Sequence, residues 1–260
     1  MKTTNQFYIL TQLIAKDLTI FYRGLKDKLI DLVIMLTLNV LIFGYFMPGV
    51  ADNFGTFILV GAIASFGFFE VVGKVGMLIA DIDGDRTINY KLILPINTNW
   101  VFCAQALSWA LESALVNIIL FPIGKLLLYS RFDMSKISVL KLIPIIFAAN
   151  LFFGFFALWT TSMLKGGVNS LSHLWIRFIS PIYFFGCYFY PWKAAFALSP
   201  IIGYLTLLNP FAHVMEGSRN AVLGAEGFLP FYLTLPALLI FVLLFGAHAI
   251  KRLKVKLDCI

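Results

Sequence analysis

Charged residues are scarce in this sequence. They make up 13% of its 260 residues, whereas 60% are hydrophobic. Soluble domains carry about 25% charged residues, so the composition excludes an ordinary soluble domain and predicts an integral membrane protein built as one helical bundle. We expect no nucleic-acid partner, because in such a chain a formal net charge of +7 is typical of lysines and arginines beside membrane lipids.

Motifs for metals, cofactors and enzyme catalysis are also missing. Cys103, Cys187 and Cys259 have no paired spacing, which argues against a disulfide framework or a metal site. The sequence has no His-Glu-x-x-His zinc motif and no Gly-x-Ser-x-Gly nucleophile turn. Gly124-Lys125 lacks the first glycine and the following Ser or Thr of a phosphate-binding loop. We therefore expect no catalytic residue and no cofactor bound by this chain.

Six apolar segments are long enough to cross a bilayer core, which takes roughly 20 residues. Residues 1–28, ahead of them, place apolar and basic side chains on different helical faces, which predicts an amphipathic helix in the membrane interface. The prediction is one transmembrane domain over residues 1–260, with spans one to five within 29–192, a hairpin over 193–227, span six over 228–250 and a tail over 251–260. The predicted spans are Leu29–Pro48, Thr56–Ala80, Trp100–Tyr129, Ile137–Met163, Leu174–Trp192 and Phe228–Ile250.

Lysines and arginines are distributed unevenly between the segments that join these spans. With the N-terminus inside, few basic residues fall in the outer segments, namely Arg131, Lys136, Lys193 and Arg219. Because cytoplasmic loops carry an excess of Lys and Arg, we expect a multi-pass protein of the cell inner (plasma) membrane with both termini in the cytoplasm.

The stretch Ser199–Gly224 is apolar but interrupted by Asn209-Pro210. Proline removes a backbone donor and disfavours a helical residue before it, so two pieces remain that are too short to span. We expect a re-entrant or interfacial helical hairpin on the outer side; the alternative is an outer loop with two short surface helices. Glu216 and Arg219 share a helical face, and we expect them to pair with each other or with a second copy of the chain. We expect Asn209, Pro210, Glu216 and Arg219 to belong to a gate or to the substrate path.

Three ionisable side chains fall inside predicted spans: Glu70 and Lys74 in span two and Glu112 in span three. Each costs roughly 2.5–3.5 kcal/mol on insertion scales, so such groups pair with one another or line a wet path. Both alternatives stay open from the sequence, and Glu112 could reach Lys74 across helices.

The largest predicted cytoplasmic loop runs from Asp81 to Asn99. A calcium site on Asp81, Asp83 and Asp85 is disfavoured, because no bidentate glutamate follows at the required distance. We expect a short helix, Arg86–Leu94, ended before Pro95 and exposed to a partner protein; a solvated turn is the alternative. The residues expected to make the partner contact are Asp83, Asp85, Arg86 and Lys91.

Aromatic residues close the fifth predicted span, with Tyr188, Tyr190 and Trp192 at its outer end. Aromatic side chains at that depth are typical of an interfacial belt. The alternative is that they line a substrate path.

Taken together, these features resemble the type-2 permeases of ATP-binding-cassette exporters. The matching features are the amphipathic N-terminal segment, the six spans and an outer hairpin before the last span. Leu208-Asn209-Pro210-Phe211 with Glu216 and Arg219 is similar to the family's Asn-Pro…Glu-x-x-Arg signature. The segment Arg86–Pro95 resembles the one that follows span two in the family.

The resemblance implies an all-α exporter subunit that works as a pair of permease chains, expected here to be a homodimer. Two separate ATPase subunits would bind ATP and Mg²⁺ and dock on the cytoplasmic loop. The hairpin looks most like the polysaccharide or lipid-linked glycan branch, but residues 31–46 lack that branch's Gly-x-x-Trp and proline. The cargo therefore stays open between a glycan, a lipid-linked molecule and a small hydrophobic compound.

A second function class is an ion- or proton-coupled secondary carrier that uses Glu70, Lys74 and Glu112 and needs no ATPase. A third class, a membrane-embedded enzyme, lacks a nucleophile and base pair in the sequence.

Overall fold

The computed structural model describes residues 3–46, 54–164 and 171–257, and every regular element within them is helical. The long helices are α1 (Thr3–Val40, extended by a π-helical turn Leu41–Phe46), α2 (Phe54–Asp83), α4 (Thr98–Leu128), α5 (Val139–Met163) and α11 (Phe231–Lys256). The short helices are α3 (Ile88–Leu92), α6 (Leu171–Leu174, followed by a π-helical turn Trp175–Ile179), α7 (Ser180–Phe184), α8 (Trp192–Leu198), α9 (Pro200–Leu207) and α10 (Pro210–Leu223). Two 3₁₀ turns, Tyr129–Arg131 and Met134–Lys136, lie between α4 and α5.

Five helices in the described part of the chain are long and apolar enough to cross a membrane. Four of them, α2, α4, α5 and α11, lie where the second, third, fourth and sixth predicted spans were placed. Their length and composition support an integral membrane protein with an all-helical fold.

The first predicted span and the predicted interfacial segment form one helix in the structure. Helix α1 runs without interruption through residue 28 and into the turn that ends at Phe46. The segment between Thr3 and Phe46 holds no proline, and a basic polar stripe by itself does not end a helix. The predicted end of the span, Pro48, lies outside the described residues.

The fifth predicted span, Leu174–Trp192, is not a single helix. Helices α6 and α7 with their π-helical turn end at Phe184, and residues 185–191 are non-helical before α8 begins. Gly186 and Pro191 lie in this break, and Cys187 adopts a left-handed backbone with φ 64°. Glycine and proline both disfavour a helix, even where the surrounding residues are apolar. Because this segment is not one continuous helix, the predicted six-span count is not confirmed.

Helix α5 lies at the centre of the bundle and packs against α4, α11, α2 and α10. Its inward face carries Phe152, Phe153 and Phe156, all fully buried. The rings of Phe153 and Phe156 meet Phe68 of α2, and the ring of Phe153 also meets Phe211 of α10. Aromatic pairs of this kind add about 0.5–1.5 kcal/mol beyond the area that they bury. The aromatic core therefore fixes α10 against the long helices.

A close approach of α4 and α5 occurs at Gly154. A Cβ atom added there would overlap the carbonyl oxygen of Ala106. Small residues allow such helix–helix contacts within a membrane, where packing replaces the hydrophobic effect as the driving force. Beside this contact, Ser113, Asn117 and Asn150 form buried hydrogen bonds between the same two helices.

Candidate functional site

A cavity of about 630 Å³ lies between α1, α2, α4 and the segment that contains α3. Its volume falls within the range of small-molecule pockets, about 300–1,000 Å³. Apolar side chains from all three long helices form much of the wall. Charged side chains from the three long helices and from α3 also line it, namely Asp17, Lys28, Glu70, Lys74, Asp81, Lys91 and Glu112.

An alternating chain of charges crosses this cavity from α1 to α4. Lys28 of α1 forms an ion pair with Glu70 of α2, and Lys74 Nζ lies 4.0 Å from the same carboxylate. Lys74 also forms an ion pair with Glu112 of α4. The expected contact between Glu112 and Lys74 is therefore present. Each of these four side chains has a neighbour of opposite charge.

Lys28 is the member of this chain that sequence reasoning missed, because it was assigned to a separate interfacial helix. Its side chain keeps 37% of its surface exposed, compared with 14% for Glu70 and 4% for Glu112. The sequence did not show that Lys28 belongs to the same helix as the first span. Because α1 is continuous, it places Lys28 beside Glu70 of α2.

Lys91 lines the cavity and joins the connector to two long helices. Its ammonium lies 3.1 Å from Asp17 of α1 and donates a hydrogen bond of 2.8 Å to Gln105 of α4. Helix α3 turns this side chain toward α1 and α4, and the expected contact of Lys91 with a partner protein stays a prediction.

The predicted short helix in this connector is present, although it is shorter than Arg86–Leu94. Asp81 accepts hydrogen bonds from the backbone N–H groups of Thr87 and Ile88, at 2.8 and 2.9 Å, which holds the start of α3. Asp81 therefore fixes the position of this short helix. In the part of the chain that the structure describes, no cluster of three or more His, Cys, Asp or Glu residues could hold a metal ion.

The outer surface of the connector carries charged and apolar residues side by side. Asp83, Asp85 and Arg86 are exposed, as expected for a contact surface. Tyr90 and Ile93, which sequence reasoning did not select, expose 74% and 78% of their surface. Exposed apolar side chains next to charges are typical of a surface that meets another protein.

Asn209 and Pro210 divide the stretch Ser199–Gly224 into α9 and α10. The Asn209 side chain accepts a hydrogen bond of 3.0 Å from Phe211 N–H, and Pro210 is the first residue of α10. Asparagine before proline is a favourable helix start, because the proline has no N–H that needs a partner. Asn209 also donates to the carbonyl of Ile182 at 2.8 Å, which ties α10 to α7.

Glu216 of α10 is fully buried and accepts two backbone hydrogen bonds. The donors are Trp192 N–H, at the first turn of α8, and Leu229 N–H, just before α11, both at 2.9 Å. Burial raises the pKa of the Glu216 carboxyl above its ordinary value, although these hydrogen bonds favour its charged form. Glu216 thus satisfies N–H groups that have no partner within a helix.

Arg219 is also fully buried and binds the non-helical segment between α7 and α8. It donates hydrogen bonds to the carbonyls of Cys187 and Tyr188, and its guanidinium lies 3.5 Å from the centre of the Phe57 ring. Gly61 provides the space, because a Cβ there would lie 2.7 Å from the Arg219 Nη2 atom. The arrangement combines charge-assisted hydrogen bonds with a cation–π contact.

Glu216 and Arg219 do not form the direct pair that was one of two expectations, since no nitrogen–oxygen contact within 4.0 Å joins these two described side chains. Each is held by backbone groups of neighbouring segments instead. Their expected role in a gate stays a prediction, and both side chains are fully buried in this conformation.

The aromatic residues before α8 occupy mixed environments. Tyr188 is 3% exposed and packs against the rings of Tyr183 and Phe189, both 4.6 Å away between centroids. Trp192 donates from its indole to the Gly203 carbonyl at 2.9 Å, which joins α8 to α9. Tyr190 is half-buried at the edge of the aromatic core. Tyr188 is therefore a core residue of this chain, and the role of the three aromatic residues in an interfacial belt or a substrate path stays a prediction.

Comparison with protein-family models finds no match to this chain, and comparison with curated proteins finds none either. The arrangement of the charged cavity, the connector surface and the anchored helix α10 is therefore the basis for assigning a function.

Proposed function

We propose that this chain is the membrane-spanning permease subunit of an ATP-binding-cassette exporter. In this proposal two copies of the chain form the path for a glycan, a lipid-linked molecule or another hydrophobic cargo. A separate ATPase subunit binds ATP and Mg²⁺ and supplies the energy. The observation that carries the proposal is the anchoring of α10, because Asn209, Pro210, Glu216 and Arg219, which suggested the family, act together on this one element.

Helices α9 and α10 act in this proposal as a re-entrant hairpin on the outer side of the membrane. Helix α10 is buried along almost its whole length and packs against α2, α5 and α11. Helix α9 is apolar and exposes Ile201, Tyr204 and Leu205. Backbone that enters a membrane without spanning it must be surrounded by protein. The burial of α10 by the long helices is consistent with this condition.

The proposed topology has six membrane crossings and both termini in the cytoplasm of the inner membrane. Residues 171–207 supply the fifth crossing as a series of short helices instead of one long helix. The non-helical residues 185–191 are compatible with this depth because Arg219 binds their carbonyl groups.

The ATPase subunit docks, in this proposal, on the connector between α2 and α4. Exposed Asp83, Asp85 and Arg86 give the surface its charges, and Tyr90 and Ile93 give it an apolar centre. Aromatic and apolar side chains at the centre of an interface contribute most of the binding energy. Lys91 transmits movement of α3 to α1 through its contact with Asp17.

Copurification with an ATPase tests this docking surface. The tagged full-length chain, purified from its native membrane, is expected to bring with it an ATPase that has a phosphate-binding loop. The double variant Tyr90→Glu, Ile93→Glu should lose this partner while the chain still inserts. The control variant Tyr129→Glu changes an equally exposed tyrosine at the opposite end of α4 and should retain the ATPase.

The alternative of an ion- or proton-coupled carrier is favoured by one observation, the charge chain formed by Lys28, Glu70, Lys74 and Glu112 inside a cavity. Such a carrier would move its substrate in vesicles that contain the purified chain alone, driven by an ion or proton gradient. Transport of that kind, with no ATPase recovered from native membranes, would replace the exporter proposal.

A further inference from the structure

The cavity between α1, α2 and α4 contains free space at two helix surfaces. Gly24 of α1 and Gly73 of α2 both line it, and a Cβ atom added at either position would meet no atom within 4 Å. Neither glycine has the positive φ that would make a larger residue strained. The two glycines therefore leave free volume for a bound molecule. Larger side chains at these positions can fill that volume without a clash with the backbone.

The charges in this cavity favour a guest that carries both signs. Lys28 and Glu70 already neutralise each other, as do Lys74 and Glu112 and, nearer α3, Lys91 and Asp17. The remaining carboxylate in the lining, Asp81, accepts hydrogen bonds from backbone N–H groups at the start of α3. A guest with a single negative charge would meet a carboxylate beside every lysine, and a guest with a single positive charge would meet the reverse. A zwitterion instead inserts into one ion pair and leaves no buried charge without a partner, which is the costly outcome.

The pair most open to insertion is Lys28–Glu70. The Lys28 side chain is the most exposed member of the charge chain. Helix α1, which carries Lys28, packs less closely than α2, because the most apolar 18 residues of α1 are 17% buried and those of α2 are 78% buried. Lys28 can therefore move away from Glu70 with little loss of packing, whereas Lys74 and Glu112 are held between two well-packed helices.

Apolar surface accompanies these charges. Ile20 of α1 and Met77 of α2 line the cavity and expose 59% and 74% of their surface. Phe69 and Trp109 line it beside the charged residues. A guest with a polar zwitterionic end and an apolar remainder matches both kinds of surface, whereas a small soluble zwitterion would leave the apolar part without contact.

We propose that this cavity binds the head group of a zwitterionic amphiphile. Its amine lies against Glu70 and its phosphate against Lys28, while its apolar chains pass between Ile20 and Met77. As the loading site of an exporter, the cavity rests on the function proposed above and names the class of cargo. The binding itself requires only this chain.

Binding is measured with the purified full-length chain in detergent, without any ATPase. The probes are phosphatidylethanolamine, the anionic phosphatidylglycerol, uncharged diacylglycerol and soluble glycerophosphoethanolamine. We expect phosphatidylethanolamine to bind at least about tenfold more tightly than the other three, a difference of about 1.4 kcal/mol. Gly73→Trp fills the cavity and should abolish the preference, whereas Gly73→Ala adds one methyl group in open space and should retain it.

Several results would overturn the proposal. Equal binding of phosphatidylglycerol would show an anion site, and equal binding of glycerophosphoethanolamine would show that the apolar chains do not contribute. Unchanged binding by Gly73→Trp would place the lipid elsewhere; should that variant not fold, Gly24→Leu fills the same space from α1 and gives the same reading. A failure of binding leaves the ATPase partner untouched, and loss of the ATPase leaves the lipid binding untouched, so the two proposals fail separately.

Discussion

Arg219 illustrates how a single side chain connects three segments that lack regular hydrogen bonds with one another. Its guanidinium binds two carbonyls of the break after α7 and stacks on Phe57 of α2. A planar group with several fixed donors is needed to make these contacts together. Its role is therefore structural, and we expect its replacement to destabilise the packing of the hairpin.

The variant Arg219→Lys keeps the charge but not the planar fork. We expect it to leave a buried carbonyl without a partner and to lower the free energy of unfolding by about 1–3 kcal/mol. Thermal unfolding of the detergent-purified chain measures this. The control Arg177→Lys changes an exposed arginine and should leave the melting temperature unchanged. Equal melting temperatures for both variants would contradict the anchoring role.

The exchanged double variant Glu216→Arg, Arg219→Glu separates a direct pair from two independent anchors. In a direct pair the exchange would restore much of the stability lost in the single variants. Because Glu216 accepts from N–H groups and Arg219 donates to carbonyls, the exchanged side chains would face groups of the wrong kind. We expect the double variant to be at least as unstable as either single one, measured by the same thermal unfolding.

At the scale of the helices, the contact between α4 and α5 depends on Gly154. The variant Gly154→Ala would drive a methyl group into the Ala106 backbone, and overpacking of this kind costs about 1–3 kcal/mol. The matched variant Gly24→Ala places the same methyl group in open space on α1 and should stabilise that helix by about 0.5–1 kcal/mol. Thermal unfolding should therefore shift in opposite directions, and a shared direction would contradict the packing described for Gly154.

Four of the long helices were predictable from the sequence because each is an uninterrupted apolar segment, and hydropathy measures that property directly. The break at Asn209-Pro210 was predictable because proline restricts the residue before it. The continuity of α1 was not, since an amphipathic pattern gives the face of a helix but not its end. The break in the fifth predicted span was not predictable either. Its composition is as apolar as that of a continuous span, so hydropathy alone does not show where the helix ends.

The charged cavity was only partly predictable. The spacing of Glu70 and Lys74 along one helix indicated their proximity, and the cost of an unpaired charge indicated a partner for Glu112. The contacts of Lys28 and Lys91 depend on how α1 packs against α2 and α4, and that packing has no local signature. The partners of Glu216 and Arg219 are backbone groups, which every residue carries, so no side-chain pattern could identify them.

For the whole molecule, the number of membrane crossings depends on residues 171–207, and cysteine labelling of intact cells decides it. The single variants Gly84→Cys, Lys136→Cys, Glu226→Cys and Lys251→Cys replace exposed residues along the chain. Cys103 and Cys259 are first replaced by serine, while Cys187 is fully buried and does not react. A membrane-impermeant maleimide then reports which side of the membrane each position faces.

Gly84 and Lys136 serve as references, because α4 is the one helix of membrane-spanning length in the described residues between them. They face opposite sides in any arrangement in which α4 crosses the membrane. With six crossings, Glu226 shares the behaviour of Lys136, and Lys251 shares that of Gly84. With five crossings, residues 171–207 return to the side on which they began, so Glu226 would behave like Gly84 and Lys251 like Lys136. We expect the first pattern for two reasons. Helix α9 exposes an apolar surface, which is unfavourable in water. Arg219 also binds the carbonyl groups of the non-helical segment, and backbone polar groups inside a membrane need such partners. The second pattern would place the two termini on opposite sides of the membrane and would remove the outer hairpin from the proposed exporter.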